Sequence, residues 1–257
     1  MKKASLVEIK DVKFDRRAEP NEIAVGDSSS PPEVIRLVHE AGFRYVVQRG
    51  GDWFDSELRL AKTLIEQPQF FFQRPAESIF GAQAIKNKLE VTCPATETKH
   101  SVLAQFESFL KGVRGARPLV TDALMIADEL YTNGAKNQVN GVAVGQTQTA
   151  PQEQVQFIAN ADEMRLVFGC VDSFGALDYR TIVKKISNCF STGIADSIDM
   201  GPGGAGIGSF MVFNASLSYY IGVLKGRKTV VLCALPLGRR YRELAELPKS
   251  IHVLSQS

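Results

Sequence analysis

The chain has 257 residues, 30 Lys and Arg against 28 Asp and Glu, a formal net charge of +2 and 44% hydrophobic residues. This is ordinary globular composition with ample apolar material for a core, and charges of both signs are interspersed, which argues against a nucleic-acid or membrane partner. No apolar stretch approaches the ~20 residues that span a bilayer, and the N-terminal MKKASLVEIK lacks the apolar core of a secretory signal, so a cytoplasmic location is expected.

The first 20 or so residues alternate Val, Ile and Phe with charge, as an edge strand or ordered arm would. NEIAVG reads as a short strand, and DSSSPP caps a helix over PPEVIRLVHEAG, where Val34, Ile35, Leu37 and Val38 fall at helical spacing. FRYVVQ reads as a strand, DSELRLAKTLIEQ as a helix and QFFFQ as a further strand. The alternation predicts a small α/β module over residues 1–85. The character changes near residue 86. KLEVTCPA reads as a strand, TKHSVLAQFESFLKGVRG as an amphipathic helix, and ARPLVTDALMIADELYTNGAKN as a second helix entered at Pro118. QVNGVAVGQTQTAPQEQ reads as a polar loop. VQFIANADEMRLVFGCVD is a predicted hairpin, DYRTIVKKISNCF a helix, residues 191–208 a Ser-, Gly- and Asp-rich lid, SFMVFNASL a helix, and YYIGVLKGRKTVVLCALPL a second hairpin. Its basic run, Lys225, Arg227 and Lys228, reads as a solvated turn. The tail ELPKSIHVLSQS carries little signal. Two-layer α/β packing is the natural way to bury these elements. Cys93, Cys170, Cys189 and Cys233 form no CxxC pair and read as buried free thiols of a reducing compartment. His39, His100 and His252 are too scattered to suggest a metal site.

Three segments carry chemistry. In DELYTNGAKN, Glu129 and Asn133 lie four apart on a helix and share a face. The amide oxygen can ligate a hard cation such as Mg²⁺, and the carboxylate can take a proton from a hydroxyl or water. An exposed, solvated helix face gives the same pattern. In FGCVDSFG an apolar strand ends at Asp172, which either accepts a hydrogen bond from an exocyclic amine or caps the following turn. In GPGGAGIGS, glycines directly precede an apolar helix. They let backbone N–H groups and the positive helix end approach a phosphate, or they form a plain linker. No Gly-Lys-Ser/Thr follows, so this is not a Walker A loop.

Taken in this order, ELYTNGAKN, VDSFG and GPGGAGIGSFMVF resemble the N, G1 and G2 boxes of the GHKL superfamily, which joins gyrase-type ATPases, sensor histidine kinases and anti-sigma-factor serine kinases. The resemblance covers about residues 86–240. It implies a two-layer α/β sandwich of the Bergerat ATP-binding type over 86–257, following the module at 1–85, with ATP and Mg²⁺ as cofactors. By it, Glu129 would be the general base and Asn133 the Mg²⁺ ligand. Lys136 could reach a phosphate. Asp172 would bind the adenine amine, and Gly175 would allow close approach of the base. Gly203, Gly204, Gly206 and Gly208 would wrap the phosphates. The family's G1 pattern is Asp-x-Gly-x-Gly, and Phe174 stands at the first glycine position.

LysHisSerVal around His100 does not resemble a phospho-accepting H box, and no room remains for a transducer domain. The compact layout is most similar to the anti-sigma-type serine kinases, which phosphorylate a small antagonist protein and switch partners. Relatives are often dimers. The alternative is a nucleotide-dependent protein-binding module without catalysis, and a third reading is an adaptor that binds no nucleotide. The segment around residues 20–80 faintly resembles a truncated response-regulator receiver, with Asp27 and Asp52 as phospho-acceptor candidates by position only. A structural or docking module is the simpler reading.

Overall fold

The computed structural model describes residues 3–27, 30–81, 83–94, 99–143, 154–193, 207–239, 241–244 and 246–256. Nine strands form one mixed sheet. The N-terminal segment supplies β1 (Ser5–Glu8), β2 (Glu22–Gly26) and β3 (Tyr45–Gln48). The rest supplies β4 (Asn87–Pro94), β5 (Gln154–Ala161), β6 (Arg165–Asp172), β7 (Ser218–Leu224), β8 (Lys228–Pro236) and β9 (Ser250–Gln256). The spatial order is β1-β2-β3-β9-β7-β8-β6-β5-β4. β1, β2 and β3 run parallel, and β4, β5, β6, β8 and β7 form an antiparallel run. β9 joins the two sets, antiparallel to β3 and parallel to β7.

The weak tail is therefore a central strand. Its Ser250 and His252 are buried, so polarity there does not mark exposure. QFFFQ, expected as a strand, is α3 (Pro68–Gln73), set between α2 (Phe54–Glu66) and α4 (Pro75–Phe80). Pro68 and Pro75 each sit at a helix start, where the fixed φ of proline suits the first turn and its missing N–H costs nothing. Phe71 and Phe72 then bury against the sheet.

On one face lie α1 (Pro31–His39), α5 (Lys99–Gly112), α6 (Val120–Ala143), α7 (Tyr179–Thr192) and α8 (Ile207–Ala215). The expected loop after Asn137 begins later than the sequence suggests, because α6 continues through Ala143. Phe106 of α5 seats between Phe157 and Phe168, at ring-centroid distances of 5.0 and 4.9 Å. Such a buried ring contributes roughly 1.5–3 kcal/mol. Two layers were expected, but α2, α3 and α4 cover the second face. Phe71, Phe72 and Ile79 pack there with Val167, Tyr220 and Leu232. The chain is mixed α/β, with helices on both sides of one sheet.

That second face holds a buried polar cluster. Glu57 of α2 is 1% exposed. Its Oε1 accepts from Arg165 Nη1 at 3.0 Å and from the Tyr220 hydroxyl at 2.8 Å, and its Oε2 lies 2.7 Å from His252 Nε2. Burial alone would raise the Glu57 carboxyl, but His252, Arg165 and Tyr220 outweigh it and hold the group below its ordinary value. Four elements, α2, β6, β7 and β9, meet on this one carboxylate. Among the described residues no helix is long and apolar enough to cross a membrane.

Candidate functional site

α6 places Glu129 and Asn133 one turn apart, both half-buried. Asn133 Nδ2 donates to Glu129 Oε1 at 2.7 Å. With the amide nitrogen turned to Glu129, the amide oxygen is the atom presented for a cation. Leu130 and Tyr131, on the other side of the helix, are buried in the core and fix the rotation of α6.

Asp172 is the last residue of β6 and is 4% exposed. Its Oδ1 accepts from the backbone N–H of Phe174 at 2.9 Å and of Gly175 at 3.3 Å. The turn-capping reading of Asp172 thus describes one of its oxygens. The carboxylate also lines a small cavity with Asn133, Gly134, Leu177, Ile182 and Tyr219. This cavity measures about 20 Å³, room for about one water. Leu177 and Ile182 line the side of it toward α7, and at this size it does not admit a planar base. Gly134 lets α6 approach β6, since a Cβ there would stand 3.3 Å from the Cβ of Cys170.

Gly208 opens α8 and faces α6. A Cβ at this position would overlap the Glu129 carboxylate carbon and both of its oxygens. The α8 backbone at Gly208 therefore lies directly against the proposed base, and a side chain there would oblige the Glu129 carboxylate to swing aside. A second cavity of about 120 Å³ lies beside it, between Met125, Asp128 and Glu129 of α6 and Gly208 and Met211 of α8.

Glu129, Asn133, Asp172 and Gly208 are thus gathered along one side of α6. Gly175 is not part of that group. It has φ +59, and the space a side chain would take is filled by the β7–β8 turn at Leu224, Gly226 and Arg227. Lys136 lies on α6, but its side chain is outside the described residues, as are Gly203, Gly204 and Gly206 altogether. Phe174 is buried at 8% exposure. Cys170, Cys189 and Cys233 are buried and form no disulfide. Among the described residues no group of three or more His, Cys, Asp or Glu could hold a metal, so a cation here would rest on the Asn133 oxygen and waters.

Tyr219 was not picked out by motif reading. It is buried, and burial, then Cys233 and Glu129, raise its hydroxyl above the ordinary value. In SYYIG, strand alternation sends the two tyrosines to opposite faces, but the pattern does not say which faces the site. Leu177 and Ile182 likewise read only as apolar residues. Compared with protein-family models, with curated proteins and with solved structures, the chain gives no significant match to any of them.

Proposed function

We propose that the chain binds ATP with Mg²⁺ along the α6–β6–α8 side of the sheet and transfers phosphate to a serine or threonine of a small antagonist protein, as an anti-sigma-type kinase of the GHKL superfamily. The carrying observation is the convergence of the Glu129–Asn133 pair, Asp172 beside Asn133, and Gly208 against the Glu129 carboxylate. The element order supports a Bergerat-type fold for 86–257: helices α5 and α6, the β5–β6 hairpin, α7, α8 and the β7–β8 hairpin.

On this reading the Asn133 oxygen holds Mg²⁺, and Asp172 accepts a hydrogen bond from the adenine amine. Gly208, with Gly203, Gly204 and Gly206, brings backbone N–H groups to the phosphates. Lys136 adds a phosphate contact. When bound, Mg²⁺ neutralises charge on the triphosphate. Glu129 accepts the proton of the attacking hydroxyl, and Asn133 holds that carboxylate in place through its amide hydrogen. Cytoplasmic residence goes with this reading.

A second reading, nucleotide-dependent protein binding without transfer, is favoured by the buried Phe174 in the turn and by the narrowness of the Asp172 cavity. Two measurements decide. Mg-ATP at a hundred times its Kd should stabilise the fold by about 2.7 kcal/mol, and no thermal shift would overturn both readings. With labelled ATP and candidate antagonist proteins, Glu129→Gln should abolish transfer and keep the thermal shift. A wild-type chain that shifts but labels no protein is the non-catalytic module.

A further inference from the structure

Away from the α6 site lies a cleft of about 490 Å³ between the Arg17–Pro20 segment, the end of α1 with the loop after it, and the first turns of α7. Its size falls in the range of small-molecule sites. Three separate stretches of chain bring cations to it: Arg17, Arg44, and Arg180 with Lys184, joined by His39. Asp178 is the one carboxylate in the lining. That carboxylate is occupied in capping α7, accepting from the Arg180 N–H at 3.0 Å and from the Thr181 hydroxyl at 2.8 Å.

Neighbouring arginines behave differently. Arg16 pairs with Glu22, Arg36 with Glu40 and Arg49 with Glu8. Arg17, Arg44, Arg180 and Lys184 make no ion pair among the described residues. Arg44 donates to the Ser255 carbonyl at 3.3 Å, and Arg180 rests 5.9 Å from the Tyr179 ring centre. The floor between the cations is apolar, with Val38, Phe43 and Val183. Tyr179 and, more weakly, Asp178 favour the charged form of Arg180, and the cleft keeps an excess of cations beside apolar side chains, which suits a ligand with a compact anionic group on an aromatic body.

We infer that this cleft binds a phosphorylated aromatic small molecule of nucleotide size, at a site separate from the α6 group. The binding inference stands whether or not the α6 site takes ATP. α7 walls both places: Arg180 and Lys184 face the cleft, while Ile182 lines the Asp172 cavity. A ligand gripping α7 would therefore bear on a helix that borders that cavity.

The test is calorimetric titration of the full chain with 1-naphthyl phosphate and, separately, pyrophosphate, in EDTA without Mg²⁺. Saturable one-site binding of naphthyl phosphate is expected, tighter than pyrophosphate and weakening with salt. Arg180→Glu with Lys184→Glu should weaken it at least about tenfold, roughly 1.4 kcal/mol, with an unchanged melting temperature, since both side chains are exposed. Asn133→Ala with Asp172→Asn should leave it intact. No binding by the wild type, or binding that survives the double charge reversal, overturns the inference. Loss in the Asn133/Asp172 variant alone would assign the phosphate to the α6 site instead. Binding of poly-glutamate at the cleft without naphthyl phosphate binding would make it a peptide dock and equally overturn it.

Discussion

Two consecutive tyrosines of β7 look out on two different glutamates. Tyr220 donates to Glu57 on one face of the sheet, and Tyr219 lies within electrostatic reach of Glu129 on the other. Glu57 is fully buried and has Arg165, Tyr220 and His252 around it. Glu129 is half-buried and has one side-chain donor among the described residues, Asn133. A carboxylate whose oxygens are all used is a fastener. One with a single donor and a glycine backbone laid against it has acceptor capacity left over. The lesson is that burial and saturation, not residue type, separate the scaffold glutamate from the candidate working one.

The sharpest way to break this comparison is to remove the fastener. Glu57→Ala leaves the buried Arg165 with only its longer, 3.8 Å pairing to Asp162 and strips His252 and Tyr220 of their shared partner, and it should cost about 3–5 kcal/mol by urea denaturation. The pH dependence follows from the same group. Its folded value is depressed below the ordinary 4.5, so its stabilisation is present above about pH 4.5 and is lost as pH falls through the folded value. Denaturation midpoints between about pH 3 and 6 should drop on acidification, and Glu57→Gln should flatten that slope. An equally steep acid limb in Glu57→Gln would assign the loss to other carboxylates.

A smaller loss is expected at Lys249, a second buried cation of the scaffold. Its Nζ donates to the carbonyls of Asn214, Ser216 and Leu244 at 2.9, 2.8 and 3.2 Å. Burial draws the ammonium down to about 7, while the carbonyls closing α8 favour its charged form. Lys249→Met should cost about 2–3 kcal/mol, because those carbonyls lose their donor. It should also weaken Mg-ATP binding, since the same helix presents Gly208 at its other end. Unaltered nucleotide affinity would separate the scaffold from the site more completely than the present comparison does.

Gly208→Ala acts on the site side. The added methyl group would strike the Glu129 carboxylate, so Glu129 or α8 must shift. Mg-ATP affinity should fall about tenfold or more, roughly 1.4 kcal/mol, measured by calorimetry. The fold itself should change by no more than about 1 kcal/mol, because α8 keeps Phe213 in the core and Lys249 at its end. A stability loss as large as that of Glu57→Ala would mean that Glu129 too is a fastener.

What the sequence shows of this arrangement follows the range of the interactions. Glu129 and Asn133 are legible because helix geometry alone joins positions four apart. Asp172 is legible as a strand end, and the hairpins as alternating runs around polar turns. The Glu57 cluster is not, since its partners lie 108, 163 and 195 residues away, and an isolated His252 reads as nothing in particular. β9 escaped for the same reason: strands on both sides support it, and no pattern of its own does. QFFFQ has no period to read, and the flanking prolines decide it. The basic cleft is hidden by a net charge near zero, because Arg17, Arg44 and Lys184 gather only in three dimensions.

Asp178 sits where fastening and binding conflict, so its removal should move the two in opposite directions. As the cap of α7 it stabilises the helix through Arg180 and Thr181, and Asp178→Ala should cost about 1 kcal/mol. As the lone carboxylate of the basic cleft it repels an anion, so the same change should tighten 1-naphthyl phosphate while the melting temperature falls. Asp178→Asn restores a capping oxygen without the charge and should recover the stability while keeping the tighter binding. If Asp178→Asn instead binds the anion no better than the wild type, the cleft cations do not act on the ligand and Asp178 belongs wholly to the scaffold.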